Sequence, residues 1–420
     1  MKKLKLILIL CFIQALVFSQ KQTVDRFVVE GNKKTKTAFI KKIATLKQGG
    51  LLDSIKILDD IKRLKRLPSI AYADYVVEVI DKENVVVKYI IEENFTIIPS
   101  LNVYTTNDNE FAYRVGLYEF NLFGQNMTIG GFYQNDIFGS YAAFFRAPYL
   151  FSRQFGLAVN HQNLQTLEPI FFNDNQANYK YHYNSIELMA LYEINFKNRI
   201  ELGLNFFKED YEYRSGAMDS EVPLEVEANK FSVKGIYEYN HLDFEYQYVS
   251  GFRSLLNLHA VFSNSDMLPG LVIGWNDFFY YNRVGKKGNW ANRLRLGLSS
   301  NNDIPFAPFS VDNNVNIRGV GNVIDRGTGS IVLNTEFRYT LLEKGWFVLQ
   351  GNAFVDSGTW RNPGGELDDF VDSENVKIYS GVGLRFIHKT IFNAIFRIDY
   401  GVGLTNNSTH GFVFGIGQYF

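Results

Sequence analysis

The chain has 420 residues, with 43 Lys and Arg against 44 Asp and Glu; a net charge of −1 gives a nucleic-acid partner no electrostatic support. Mean hydropathy is −0.12, and no segment beyond the leader offers ~18 consecutive apolar residues, which argues against a helical membrane protein. It does not argue against a β-barrel, half of whose residues face a polar lumen, and 16% aromatic content, with 37 Phe and 25 Tyr, suits two interfacial girdles better than a soluble core.

Residues 1–19 read as a secretory signal. Lys2, Lys3 and Lys5 form the charged region, Leu6 to Phe18 the apolar stretch, and Val17 and Ser19 suit a cut after Ser19. A membrane anchor is the alternative, but the apolar run is short and a polar segment follows at once. The single cysteine, Cys11, lies in this leader, so the mature chain is expected to carry no disulfide.

Residues 20–95 are predicted to form one small β-α-α-β-β domain. Thr23–Gly31 is strand-like and Ala38–Leu46 has helical spacing. Leu51–Leu67 is an amphipathic helix with apolar Leu51, Ile55, Leu58, Ile61 and Leu64, ended by Pro68. Ala73–Ile80 and Asn84–Glu92 alternate as a hairpin around Asp81-Lys-Glu83. The helices carry Lys41, Lys42, Lys56, Lys62, Arg63, Lys65 and Arg66, which suit a solvated face or a lipid-headgroup contact.

From Phe95 onward the helical period disappears. Strand-like segments recur at 96–106, 110–120, 126–136, 139–150, 154–166, 179–195, 198–213, 229–242, 246–263, 270–285, 289–301, 329–342, 345–360, 376–388, 392–404 and 410–420. Residues 96–420 are thus predicted to form a 16-stranded antiparallel transmembrane β-barrel, so the fold class is mainly β. Every second connection is short (Leu122-Phe-Gly-Gln125, Phe151-Ser-Arg153, Phe196-Lys197, His241-Leu-Asp243, Lys286-Lys-Gly288, Glu343-Lys344, Lys389-Thr-Ile391). Loops 167–178, 214–228, 302–328 and 361–375 are long and polar. A soluble β-sandwich would not predict that alternation. An even strand count places both ends of the barrel on the short-turn, periplasmic side, with the 20–95 domain beneath.

The last segments alternate as membrane strands must. Ala394, Phe396, Ile398, Tyr400 and Val402 oppose Asn393, Arg397 and Asp399, and Ile378, Val382, Leu384 and Phe386 oppose Lys377, Tyr379, Gly381, Gly383 and Arg385. In 411–420, Phe412, Phe414, Ile416, Gln418 and Phe420 share one phase, while Gly411, Val413, Gly415, Gly417 and Tyr419 take the other.

The longest loop, 302–328, contains Val315-Asn-Ile-Arg-Gly-Val320. On the following strands Glu336 shares a phase with Asn334 and Arg338, and Asp356 with Gln350 and Asn352. A long outer loop folded into the lumen would bring Arg318 to these acids, since a guanidinium forks onto a carboxylate and Gly319 permits a tight turn. An exposed loop arginine beside ordinary luminal acids is the alternative.

Ile317-Arg-Gly-Val320, Phe354-Val-Asp-Ser-Gly358 and Glu336-Phe-Arg338 resemble the motifs of BamA/TamA-type outer-membrane assembly factors, the bacterial surface antigen superfamily. Val28-Val-Glu-Gly-Asn32 with the helix pair and Pro68 resembles that family's POTRA module. Glu119-Phe-Asn-Leu-Phe-Gly124 and Gly381-Val-Gly-Leu-Arg385 resemble early and late barrel signatures, and Phe420 the insertion signal. The resemblance implies an outer-membrane protein that inserts or translocates unfolded outer-membrane or secreted clients, with membrane lipids and accessory proteins as further partners. It implies a latch of Ile317, Arg318, Gly319 and Val320 on the wall acids Asp356 and Glu336, strand addition at the POTRA edge, and a seam that parts at the last strand, where Gly411, Gly415 and Gly417 would weaken packing. The chain departs from the family in having room for one POTRA module. A passive pore or transporter gated by the loop is the rival. No enzyme is expected: the six histidines are dispersed, and no cofactor, phosphate-loop or nucleophile-elbow motif is present. The acidic loop 361–375 suits a solvated surface or, less simply, calcium.

Overall fold

A computed structural model of the chain describes residues 22–105, 111–172, 175–218, 223–300, 308–311, 316–320, 325–406 and 408–420. The predicted leader 1–19 and Val315 lie outside the described residues.

The N-terminal domain contains β1 (Thr23–Glu30), α1 (Thr37–Ile43), α2 (Ser54–Lys65), β2 (Ile70–Val79) and β3 (Asn84–Glu93). β3 is central, parallel to β1 and antiparallel to β2. Phe39, Ile40 and Ile43 of α1 and Ile57, Ile61 and Leu64 of α2 pack on Val24, Phe27, Val85, Val87, Tyr89 and Ile91 of the sheet. Asp53 caps α2 by accepting the N–H groups of Ile55 and Lys56 at 3.0 and 3.2 Å. The buried stripe of α2 differs from the predicted one: Leu51, Ile55 and Leu58 are exposed. Asp60 takes the inner face instead, accepting the N–H groups of Thr45 and Leu46 and the Tyr89 hydroxyl at 2.7, 2.9 and 3.0 Å.

Sixteen long strands form the barrel: β4 (Ile97–Thr105), β5 (Phe111–Leu122), β6 (Met127–Asp136), β7 (Phe138–Ala147), β8 (Phe155–Phe172), β9 (Asn175–Asn195), β10 (Asn198–Gly216), β11 (Glu225–Asn240), β13 (Tyr248–Ser263), β14 (Leu271–Val284), β15 (Gly288–Ser299), β18 (Gly329–Lys344), β19 (Phe347–Arg361), β20 (Lys377–His388), β21 (Ile395–Gly403) and β22 (His410–Ile416). β12 (Asp243–Glu245) continues β11 against β13. β16 (Phe309–Val311) and β17 (Asp325–Gly327) pair with each other within the long loop. Successive strands are antiparallel neighbours, and β22 lies beside β4 at the seam.

Outward phases are apolar: Ile186, Leu188 and Ile194 on β9, Leu202, Leu204 and Phe206 on β10, and Phe412 and Phe414 on β22 are exposed. Tyr192, Tyr237, Tyr280, Trp290 and Tyr339 share that outer surface within a few residues of the short turns, forming one aromatic girdle.

Three expectations are corrected. Loop 167–178 is largely strand, because β8 runs to Phe172 and β9 starts at Asn175. Loop 214–228 shrinks in the same way. The turn placed at 241–243 lies at Tyr246 and Gln247, since β12 resumes the ladder after a break at His241 and Leu242.

The N-terminal domain sits on the short-turn rim. Lys36 N–H donates to Gly124 O at 2.9 Å, and Lys42 Nζ to Tyr149 O at 2.6 Å. Arg66 donates to Phe196 O and Leu242 O at 3.1 and 2.8 Å. Tyr149, from the turn after β7, is buried in the domain's own core. The linker residue Phe95 pairs with the turn between β20 and β21, donating to Thr390 O at 2.8 Å and accepting from Phe392 N–H at 3.1 Å.

Candidate functional site: an arginine inside the barrel

Residues 316–320 of the long loop lie within the barrel. Gly319 (φ 95°) turns the chain against β21, where a Cβ would stand 2.7 Å from Gly401 O. A Cβ at Gly401 would in turn meet Arg318 O at 2.3 Å, so the close approach needs glycine on both sides. Ile317 and Val320 pack with Trp360 and Tyr379. Thr409 donates to the Gly319 and Val320 carbonyls at 3.1 and 3.0 Å.

Arg318 is fully buried. Its Nε and Nη2 fork onto Asp356 at 2.8 and 2.9 Å, and its backbone N–H reaches the same carboxylate at 3.0 Å. Nη1 donates to Glu336 at 2.5 Å and lies 3.8 Å from Asp399. The acids are held in turn. Asn334 bridges Asp356 and Asn316 O at 2.9 and 2.7 Å. Arg338 pairs with Glu336, and Arg385 bonds Glu336 at 3.0 Å and Asp399 at 3.1 Å. Four guanidiniums (Arg318, Arg338, Arg385 and Arg397) thus share three carboxylates. Alternation places Arg385, Arg397 and Asp399 on the inner phase, but nothing in the sequence signals that Arg385 bridges Glu336 and Asp399 or that Arg397 pairs with Asp399.

Aromatic rings complete the site. The Arg318 guanidinium carbon lies 3.7 Å from the Phe354 ring centroid and 4.5 Å from that of Tyr419. Tyr419 arrives through a departure from the predicted last strand. β22 ends at Ile416; Gly417 (φ 88°) then turns the chain inward. Gln418 accepts from Arg385 Nε at 3.0 Å. Phe420 is therefore not on the outer surface: it packs beside Leu242, Tyr281 and Ala291, and its carbonyl accepts from Arg338 at 3.3 Å. Gly411 and Gly415 stay in β22 on the inner phase. A Cβ at Gly415 would stand 2.5 Å from Arg397 Nη2, so that glycine makes room for the guanidinium.

At the N-terminal domain, Glu93 accepts the N–H groups of Lys33, Lys34 and Thr35 at 3.0, 2.9 and 2.6 Å. Burial raises its pKa, but these donors outweigh burial and hold the carboxyl below the usual range. Burial lowers the Arg66 pKa to about 10, which leaves it charged at neutral pH. Among the described residues no group of His, Cys, Asp and Glu has metal-ligand geometry.

Residues 22–94 match the POTRA family, described as a surface antigen variable number repeat. With the lipid-faced barrel above it, this makes the chain an outer-membrane β-barrel protein carrying a single periplasmic POTRA domain. It is similar to BamA from Haemophilus ducreyi lacking POTRA domains 1–3 (TM-score 0.55, 15% identity, covering 94% of this chain and 84% of that one). It is similar also to CdiB from Acinetobacter baumannii (0.58, 13%, 95% and 74%) and from Escherichia coli (0.60, 11%, 95% and 75%). At these identities the likeness is one of fold. No curated protein matches the chain.

Proposed function

We propose that the protein inserts or translocates other proteins at the outer membrane, and that residues 317–320 are a latch holding the long loop in the lumen through Asp356 and Glu336. The observation that carries this reading is the fully buried Arg318, forked onto Asp356 and bonded to Glu336 inside a barrel of this architecture. A buried guanidinium is costly unless paired, so the docked position of the loop depends on both acids, and removing either should release it.

The POTRA sheet supplies an entry point for clients. The start of β1 is covered by residues 49–52, with Val24 N–H donating to Gly50 O and Leu52 N–H to Gln22 O at 2.8 and 2.7 Å. β2 is the opposite outer strand. An unfolded outer-membrane or secreted client would add there as an extra strand.

Depletion of the protein, followed by comparison of outer-membrane and surface proteomes, tests the reading. Loss of a defined set of surface proteins is the expected result, and Arg318→Ala should reproduce it while the protein still folds. If that variant raises ion conductance and every surface protein persists, the chain is a loop-gated pore instead.

A further inference from the structure

The residues beyond β22 are in a different place from the one their pattern suits. The alternation of Phe412, Phe414 and Ile416 continues through Gln418 to Phe420, as in an uninterrupted outward-facing strand. The register of β21 with β22, Phe396 opposite Ile416, would put Phe420 opposite Phe392. That position is taken by Phe95, whose carbonyl accepts the Phe392 N–H at 3.1 Å. Gly417 instead sends the segment into the lumen. There Gln418, Tyr419 and Phe420 each meet a different arginine of the charged cluster: Arg385 at 3.0 Å, Arg318 with its ring 4.5 Å away, and Arg338 at 3.3 Å. Tyr419 also lies 4.8 Å from the Arg397 guanidinium carbon, and its side chain is buried.

We infer that Tyr419 is a positioning residue for Arg318, and that residues 418–420 bolt the seam strand to the inward loop. The inference rests on the latch reading above and adds a second lock to it. Asp356 and Glu336 hold the guanidinium edge, whereas Tyr419 and Phe354 supply ring contacts. Phe354 belongs to the fixed wall, in the middle of β19. Tyr419 belongs to the end of the strand at the seam, one turn past its last ladder position. Straightening 418–420 into the β22 register turns Gln418 and Phe420 to the outer face, which takes one hydrogen-bond acceptor from Arg385 and one from Arg338, and it draws the inward-facing Tyr419 ring along the wall away from Arg318. It also requires Phe95 to leave the 390–392 turn. The loop, the seam strand and the POTRA linker would then move as one coupled element.

The test uses the full chain in planar bilayers, with heat-modifiable gel mobility as the folding control. Tyr419→Ala should raise open-state occupancy about thirty-fold, the size of a desolvated cation–π contact. Tyr419→Leu, which keeps the volume and loses the π face, should do the same and carries the test if the alanine variant fails to fold. Tyr419→Phe should restore the closed behaviour, because the ring and not the hydroxyl faces the cation. In an Arg318→Ala background, Tyr419→Leu should add nothing further. Wild-type conductance in the leucine variant, or independent multiplication of the two effects, overturns the inference. Client delivery measured on the same variants separates the two proposals. Raised conductance with undiminished delivery sinks the assembly reading and leaves the coupling standing; unchanged conductance sinks the coupling whatever delivery does.

Discussion

A single carboxylate illustrates how the interior is held together. Asp356 accepts four hydrogen bonds, three from Arg318 and one from Asn334. Asp356→Asn keeps the shape and removes the charge, leaving a buried guanidinium partly uncompensated. The expected loss is on the order of 3–5 kcal/mol of barrel stability, read from urea unfolding in lipid vesicles; a loss under ~1 kcal/mol would mean that Glu336 alone balances the cation. In the periplasmic domain Glu93 gives a pH signature. Its folded pKa is depressed, so its contribution is present above the unfolded value of ~4.3 and fades as pH falls through the folded value. Glu93→Gln should flatten that acid limb in the unfolding of the domain while changing little near neutrality, as followed by tryptophan-independent circular dichroism. The inner phase of Glu336 and Asp356 was legible because their strands alternate strictly. The convergence of Arg385, Asp399 and Tyr419 was not, because β-strand pattern gives a face but no partner across a lumen.

At the scale of elements, what the sequence lacked was tertiary competition. The predicted stripe of α2 ran through Leu51, Ile55 and Leu58, yet Asp60 is inside, since it satisfies two backbone N–H groups and the Tyr89 hydroxyl that no leucine could satisfy. Loop 167–178 was expected to be long and polar, yet the two strands continue through it, Pro169 included. β7 pairs with β8 only as far as Tyr141 opposite Asn163, so Pro169 lies beyond that ladder, on an edge where a missing N–H is tolerated. The basic helix face offered solvent or lipid, and the structure gives Arg63, Arg66 and Lys42 to the barrel instead. Arg63 bonds Glu193 at 2.7 Å, and Arg66 reaches two turn carbonyls while lying 4.2 Å from the Phe196 ring. Arg66→Ala should therefore loosen the domain from the rim. Hydrogen exchange at turns 196–197 and 241–247 should rise by a factor consistent with ~1–3 kcal/mol, the worth of charged hydrogen bonds; unchanged exchange would show that Lys42 and the Tyr149 insertion suffice.

For the whole molecule, the outer surface sets where the membrane begins and ends. On β10 the outward phase is Leu202, Leu204 and Phe206, then Lys208, Asp210, Glu212 and Arg214. On the neighbouring β9 it changes from Ile186, Leu188 and Tyr192 to Lys180 and His182. The apolar belt thus stops between Phe206 and Lys208, and β8 to β11, at 18, 21, 19 and 16 residues, run on past it as an extracellular wall. The inner side of that wall is tyrosine-rich: Tyr179 packs with Tyr211 and Tyr213, and Tyr181 bonds Glu209 at 3.0 Å. On the seam side β21 and β22 have only 9 and 7 residues, so the wall is much lower there. The same substitution should then have depth-dependent costs on one strand. Leu204→Arg puts a charge in hydrocarbon and should cost ~2–4 kcal/mol of folding into vesicles. Glu212→Arg, four residue pairs higher on the same face, should cost ~0–1 kcal/mol because it is already in water. Equal costs at the two positions would place the membrane elsewhere on the barrel, whereas the expected difference fixes the upper boundary at Lys208 and leaves the tyrosine-lined wall on the cell surface.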